Sequence, residues 1–553
     1  MRIKENLALL VLLLAGCLTL PLAAPAQFAC ITNNGAITIT GYTGTNSVVV
    51  IPSSTNGWPV TVIASGSFSN QTAVKLVTIP DSVVDLGSNG FAFCGGLTNL
   101  TIGTNLTSLG DATFYHCTNL LRITLPNSVT NLGISAFNSC FKLTNVTFGT
   151  NLGSVGASAF YNCTNLLKLV LPNSVAVIGS NAFNSCLSLT NVTLSTNLTS
   201  LANWLFASCH KLSGVTIPKG VTFIDSYAFS SCYYLTGITI PAGVTNIAAY
   251  AFDYCTGLTL VSFSTNLINL GPFAFANCDN LGSVTLPGSV VTVGDGAFFS
   301  CDGLASASFG SNVTHIGNLA FGGCNHLSTV TVNPLNPAYS SVDGVLFDQG
   351  QSVLIKYPPA RPGNYAVPGT VISIAADAFD NSTNLTGVRL PDSLTNIGNS
   401  AFIYCSNLTT VTIPGSVIGL GNYAFYNCPA LTGVYFAGNS PAMGYQVFYP
   451  ENVAIYYLPG TVGWSNTVDT VSTTLWNPQA QLGVGGWGVQ TINNFGFQLT
   501  GNSNLVVVVE AATNLANSAW TPVATNTLNN GSANFSDPQW TNYARRFYRL
   551  RTP

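Results

Sequence analysis

Charge is what this chain lacks most. Of its 553 residues, 6% are Asp, Glu, Lys or Arg, and the formal net charge is −3. No stretch gathers the cations into a patch that would displace counterions from phosphate, which argues against nucleic acid as a partner. Histidine is nearly absent too, with His116, His210, His315 and His326 alone. His116, His210 and His326 sit at different offsets from the recurring pattern described below, so no ligand or general-base position repeats. No C-x-x-C pair, paired-acid pattern or glycine-rich phosphate loop stands out. The sequence therefore assigns no catalytic residue, no cofactor and no metal ligand. Long apolar runs are missing beyond the N-terminus, so no second membrane span is expected. What is abundant is apolar residues at 47%, together with Thr, Ser, Asn and Gly. Such a chain can bury a core, and disorder is not expected.

The start, "MRIKENLALLVLLLAGCLTLPLAAPAQ", places Arg2 and Lys4 before an apolar run from Leu7 to Leu20. It reads as a secretory signal peptide over residues 1–26, cut after Ala26. A rival lies inside it: "LAGC" resembles a bacterial lipobox, which would put a lipid on Cys17 and tie the protein to a membrane. Either way the chain is expected to be exported, to the medium or to the cell surface.

The rest of the text repeats. Phe recurs every 23 residues from Phe68 through Phe91, Phe114, Phe137 and Phe160 to Phe321, then resumes at Phe379, Phe402, Phe425 and Phe448. Three residues after it comes cysteine: Cys94, Cys117, Cys140, Cys163, Cys186, Cys209, Cys232, Cys255, Cys278, Cys301, Cys324, Cys405 and Cys428. Six after comes Leu, and nine and eleven after are apolar. "LTNVTF" alternates apolar and polar, as a strand with one buried face does. A Pro or Gly ends it, and "SAFNSC" reads as a short helical or 3₁₀ turn. One such unit cannot offset the entropy of ordering itself. Stacked units can, because each covers the apolar edges of its neighbours. The cysteines then form a ladder of small apolar filler; disulfides between rungs are the alternative reading. Gln71 and Ser382 at the same position favour filler.

Words such as "LTNVTLSTNLTSLANWLFASC" and "LTGITIPAGVTNIAAYAFDYC" resemble the BspA-type leucine-rich repeat. The resemblance covers about Gly41 to Tyr449. It implies a right-handed repeat solenoid with a parallel β-sheet on one face. It also implies a secreted or surface protein that binds other macromolecules, without catalytic residues. Around it the chain divides into an N-terminal cap with a first irregular repeat (27–66), regular repeats (67–332), a degenerate repeat or insertion (333–370), further repeats (371–436), a C-terminal cap (437–479) and a small all-β, sandwich-like domain (480–553). The segment 333–370 reads as hairpin-like strands turning at "DG" and "PPARPG"; whether it is a degenerate unit or a binding excursion stays open.

The outward face of the strands is the candidate binding surface. It carries Thr101, Thr124, Thr147, Thr193, Thr216, Thr239, Arg389 and Tyr435 at one position. Two residues earlier stand Arg122, Asn145 and Lys168, where Arg122 and Lys168 mark a local anionic contact. A solvated strand position suited to Thr is the plain reading; a docking surface for a protein or glycan is the functional one. Two further functions stay open. One is a structural spacer that displays the C-terminal module, and the other, the least favoured, is a hydrolase.

Overall fold

The computed structural model describes residues 27–450, 452–481, 488–491, 494–515 and 519–553. The expected leader, 1–26, and Cys17 lie outside the described residues. The chain forms two compact units, Met1–Ser264 and Thr265–Pro553.

The first unit is a β-solenoid. Strand Phe28–Asn33 folds antiparallel onto Ala36–Tyr42, and Ala36–Tyr42 pairs in parallel with Trp58–Ile63. The insertion "SSTNGWP" is a small hairpin, Ser54–Thr55 against Trp58–Pro59, whose Asn56 and Gly57 take positive φ as a type I′ turn demands. Every following unit adds two strands. One is the expected short strand, such as Arg122–Thr124, Asn145–Thr147 and Lys168–Val170, paired in parallel and in register. The other lies between the Pro or Gly that ends the first strand and the next anchor. It is a second parallel ladder of two-residue strands, including Ser108–Leu109, Asn131–Leu132 and Ser154–Val155. The solenoid thus has parallel strands on two sides. Glycine closes this second ladder because a Cβ on Gly133 would lie 2.5 Å from the carbonyl carbon of Gly110.

The "SAFNSC" arc is not helical, and no α-helix occurs among the described residues. Ser135 and Ser139 take φ of 55° and 60°. The reversals aim alternate amides along the stack. The amides of Ser135, Phe137 and Ser139 donate to the carbonyls of Ala157, Ala159 and Tyr161 in the next unit at 2.7–2.8 Å. The amides of Asn138 and Cys140 instead close turns onto Ser135 and Phe137. A helix would satisfy these groups within one unit and leave nothing to hold the next.

Inside, the anchor rings form a column. From Phe68 to Phe252 successive centroids lie 4.7–5.7 Å apart with rings nearly parallel, and Tyr42 starts the stack at 5.1 Å.

The second unit continues the pattern with Phe275, Phe298 and Phe321, then breaks it. Tyr339–Val342 and Val345–Asp348 form the hairpin expected at "DG", with Asp343 and Gly344 at positive φ. Val353–Lys356 runs antiparallel to it and hands the ladder on in parallel to Ser373–Ile374. Tyr357 takes the anchor's place, stacked 4.9 Å from Phe379, and Phe379, Phe402, Phe425 and Phe448 follow at 4.5–5.7 Å. Ala454–Tyr457 and Val471–Leu475 add two more parallel strands after Gly433–Phe436.

The C-terminal module holds two antiparallel sheets. One comprises Gln479–Gln481, Gly488–Thr491, Asn494–Thr500 and Ser532–Asp537, the other Val506–Ala512, Thr521–Thr527 and Phe547–Arg551. Phe497, Leu499, Val507, Val509 and Phe535 fill the space between them. The same cluster includes Tyr435 and Tyr456 of the solenoid and Trp476 of the linking segment, so the module is sealed onto the repeat strands.

Candidate functional site

The position of each candidate follows from strand alternation: one side chain of three points into the column and its neighbours point out. In the first unit Thr101, Arg122, Thr124, Asn145, Thr147, Lys168, Thr193, Thr216 and Thr239 are all exposed. Register sets Arg122, Asn145, Lys168, Asn191 and Gly214 in one row across the strands. Arg122 and Lys168 are therefore two strands apart, with the uncharged Asn145 between them, on the order of 10 Å at ordinary strand spacing.

The face is not uniform. This ladder falls into three pieces: Val48–Val50 to Asn99–Thr101, Arg122–Thr124 to Gly214–Val215, and Gly237–Thr239 with Leu260–Ser262. Where the second piece ends and the third begins, Gly214 and Gly237 replace the Asn and Lys of earlier units. Space stands open above Gly214. The result is a trough of about 1070 Å³, rimmed by Asn191, Ser213, Thr216, Thr239 and Lys219, with Leu260 at its far wall. Its hydroxyls and amides offer hydrogen bonds of both senses, and its floor of Val215 and Ile238 is apolar. A surface with one charge, Lys219, among hydroxyls and amides recognises mainly shape and hydrogen-bond pattern. Nothing in the sequence singles out the trough, because a glycine at one strand position reads as ordinary variation.

In the second unit the face divides. Arg389 is exposed. Tyr435 was expected on the binding face and is instead buried, 1% exposed, stacked 4.9 Å from Tyr456 under the C-terminal module. Burial pushes its hydroxyl well above the ordinary phenol range. Thr412, one unit earlier, donates its hydroxyl to the carbonyl of Pro553 at 2.7 Å. The outward position from Thr412 to Tyr435 is thus covered by the C-terminal module.

The cysteine ladder has a role that filler alone does not describe. Twelve of its thiols donate to the carbonyl of the anchor in the preceding unit at 3.0–3.4 Å, as Cys163 does to Phe137. Gln71 at the same position donates its Nε2 to Tyr42 O at 3.0 Å. Ser382 also fills the position, with its hydroxyl buried and without a hydrogen-bond partner, so the bond is usual at this position but not required by it. Cys94, Cys140 and Cys163 are buried with free thiols, not disulfides. Burial drives these thiols up, Cys94 to about 12. Among the described residues no group of three His, Cys, Asp or Glu side chains is placed to hold a metal. His210 stacks on Tyr233, His116 packs among Phe93, Tyr115 and Phe141, and His326 hydrogen-bonds the carbonyl of Asp302.

A solenoid of two parallel ladders, an aromatic column and a thiol ladder defines a leucine-rich-repeat protein. The chain belongs to the BspA type leucine rich repeat region family, whose sequence pattern matches residues 45–166, 133–259, 222–337 and 363–464. No curated protein matches the chain. Among solved structures, a leucine-rich repeat protein from Bacteroides ovatus is similar at 22% identity, over 82% of this chain and 98% of that one, with a TM-score of 0.46. The leucine-rich repeat protein of T. pallidum shares 29% identity over 38% of this chain and 90% of its own, with a TM-score of 0.31. A leucine rich cell surface protein from Faecalibacterium prausnitzii shares 23% over 74% and 87%, with a TM-score of 0.22.

Proposed function

We propose that this is a non-enzymatic recognition protein of the cell exterior, which binds a protein or glycan through the outward strand face of its repeats. One observation carries the reading: an in-register, exposed strand face of Thr and Asn, with Arg122 and Lys168 among them, that opens into the trough at Gly214 and Gly237. The family supports it, and so does the expected leader. No described helix is long and apolar enough to cross a membrane. The spacer reading draws less support, because the module shares a core with the solenoid through Tyr435, Tyr456 and Trp476 and does not stand apart from it.

The test is capture by residues 27–553 from a glycan array and a panel of extracellular proteins. A double variant, Thr193→Arg with Thr239→Arg, blocks the face without touching the core. Loss of capture with an unchanged circular dichroism spectrum supports the reading. Capture that survives in the variant places binding elsewhere and overturns it.

A further inference from the structure

A cleft on the turn edge of the second unit belongs to no part of the strand face. In regular units the arc around each anchor is held by three main-chain bonds to the next: Gly296, Phe298 and Ser300 donate to the carbonyls of Asn318, Ala320 and Gly322. After Phe321 the next anchor is Tyr357, and the "YPPARPG" that follows it supplies no such arc. Gly323, the counterpart of Ser300, finds no carbonyl and donates to the carboxylate of Asp380 at 3.3 Å instead. The missing layer leaves a cavity of about 650 Å³, lined by Asp279, Asp302, Asp377 and Asp380, with Phe299 and Tyr404 on its walls.

Four carboxylates line the cleft in a chain with only 18 acidic residues, and no lysine or arginine lines it, while at its edge the imidazole of His326 stands 3.5 Å from the carboxylate of Asp302. Asp380 is 6% exposed, and among the described residues its carboxylate accepts from the Gly323 amide and the Asn381 side chain. A buried carboxylate without a counter-charge is costly unless something supplies one. Lys356, buried beside the cleft, supplies it only in part: its charge acts on Asp377, but its Nζ donates to the main-chain carbonyl of Asp377 at 3.2 Å and not to a carboxylate of the cleft. The acids feel one another. Burial and the charge of Asp380 push Asp377 up to about 6, against the pull of Lys356, and burial and Asp302 raise Asp279. On the rim Tyr404 leads into a run of tyrosines, with Tyr426 6.3 Å from it and Tyr449 5.3 Å from Tyr426. Aromatic faces beside acids suit the guanidinium or ammonium end of a side chain and its apolar stem.

We propose that this cleft is a docking site for a lysine- or arginine-bearing segment of a partner protein, distinct from the strand face. The cationic head meets Asp302 and Asp380, and the stem lies against Tyr404 and Phe299.

The test uses residues 27–553 and a fluorescein-labelled hexalysine peptide as probe, read by anisotropy. The double variant Asp279→Asn with Asp302→Asn should weaken binding about tenfold, and Tyr404→Ala about threefold. Asp392→Asn, an exposed acid outside the cleft, should leave binding unchanged, as should the strand-face variant Thr193→Arg with Thr239→Arg. That last control separates this site from the proposed function. Three results overturn the proposal: no hexalysine binding, equal weakening by Asp392→Asn, or unchanged binding in the double variant. Terbium luminescence that saturates in the native protein, vanishes in the double variant and is competed by calcium would assign the cleft to a metal ion and overturn it as well.

Discussion

The run of units from Phe68 to Phe252 and the single break between Phe321 and Phe379 reach stability differently. In the run, each contact is made many times over: ring on ring, thiol on carbonyl, amide on carbonyl. At the break, each contact is made once, by a residue found nowhere else in the pattern. Asn336 is 1% exposed and makes four hydrogen bonds. Its Nδ2 donates to Gly310 O and Val313 O, and its Oδ1 accepts from the amides of Ala338 and Tyr339. Repetition spreads the work over many equivalent groups, whereas an interruption concentrates it on a few irreplaceable ones. The interruption also frees backbone and carboxylates for other uses, which is why the acidic cleft lies there.

Substitution at the two places should break that comparison most sharply. Phe160 is fully buried between Phe137 and Phe183 at 5.1 and 5.3 Å. Phe160→Ala should cost about 3–5 kcal/mol, because the column on both sides is too rigid to collapse into the gap. A repeat array unfolds by neighbours, so the denaturant profile should also split into two transitions. A single transition with unchanged slope would show that the column does not couple units as described.

Asn336→Ala tests the other side. It removes four hydrogen bonds from a buried site and leaves two carbonyls and two amides there, a loss of about 2–4 kcal/mol in thermal or denaturant unfolding. A loss under about 0.5 kcal/mol would mean the break is held by its hairpin and not by Asn336.

How much of this was legible follows from which contacts are local in sequence. The anchor spacing, the thiol ladder and the hairpin at Asp343 and Gly344 were readable, since each rests on residue type at fixed offset. The second strand ladder was not, because two residues such as Asn131 and Leu132 carry no period. The alternating arc around Phe137 was misread for a related reason: Ser, Ala and Asn at close spacing suit a helical turn, and the stack of neighbours reverses Ser135 and Ser139. Tyr435 occupies the register position of Thr412, and only the module, joined through Trp476, decides that it is covered. The acids at 279, 302, 377 and 380 are about a hundred residues apart at the extremes and meet only because one layer is missing.

The module offers a third contrast, charge where the solenoid has little. Glu510 is 6% exposed on its side chain and accepts from Arg549 and Arg551 at 2.8 and 2.6 Å. Burial pushes its carboxyl up, but the two arginines outweigh that and hold it below the usual glutamate range. The group's folded affinity for protons is therefore below its unfolded one, so its contribution is present above the ordinary glutamate range and lost as pH falls through the lowered value. Glu510→Gln should lower stability by about 1–2 kcal/mol at pH 7 and by much less near pH 3, since both arginines are part-exposed and screened. An equal loss at both pH values would mean the carboxylate acts by shape alone.

The smallest effect returns to the run and asks what its cysteines are for. Cys163→Ala removes one donor and a little volume, leaving the Phe137 carbonyl with the Cys140 amide as its remaining partner, at a cost of about 0.5–1.5 kcal/mol. Cys163→Ser keeps a donor of similar reach and should cost less than alanine. Were the thiol only filler, the order would reverse, because a hydroxyl is the worse apolar group and alanine the better one. Chemical labelling sharpens the point. Buried thiols pushed far up are neither ionised nor reachable, so in the native protein a thiol reagent should modify Cys30, the one exposed cysteine among the described residues, and leave the ladder untouched. Rapid labelling of Cys140 or Cys163 under native conditions would show that the ladder opens, and then the hydrogen bond from each thiol could not be what joins one unit to the next.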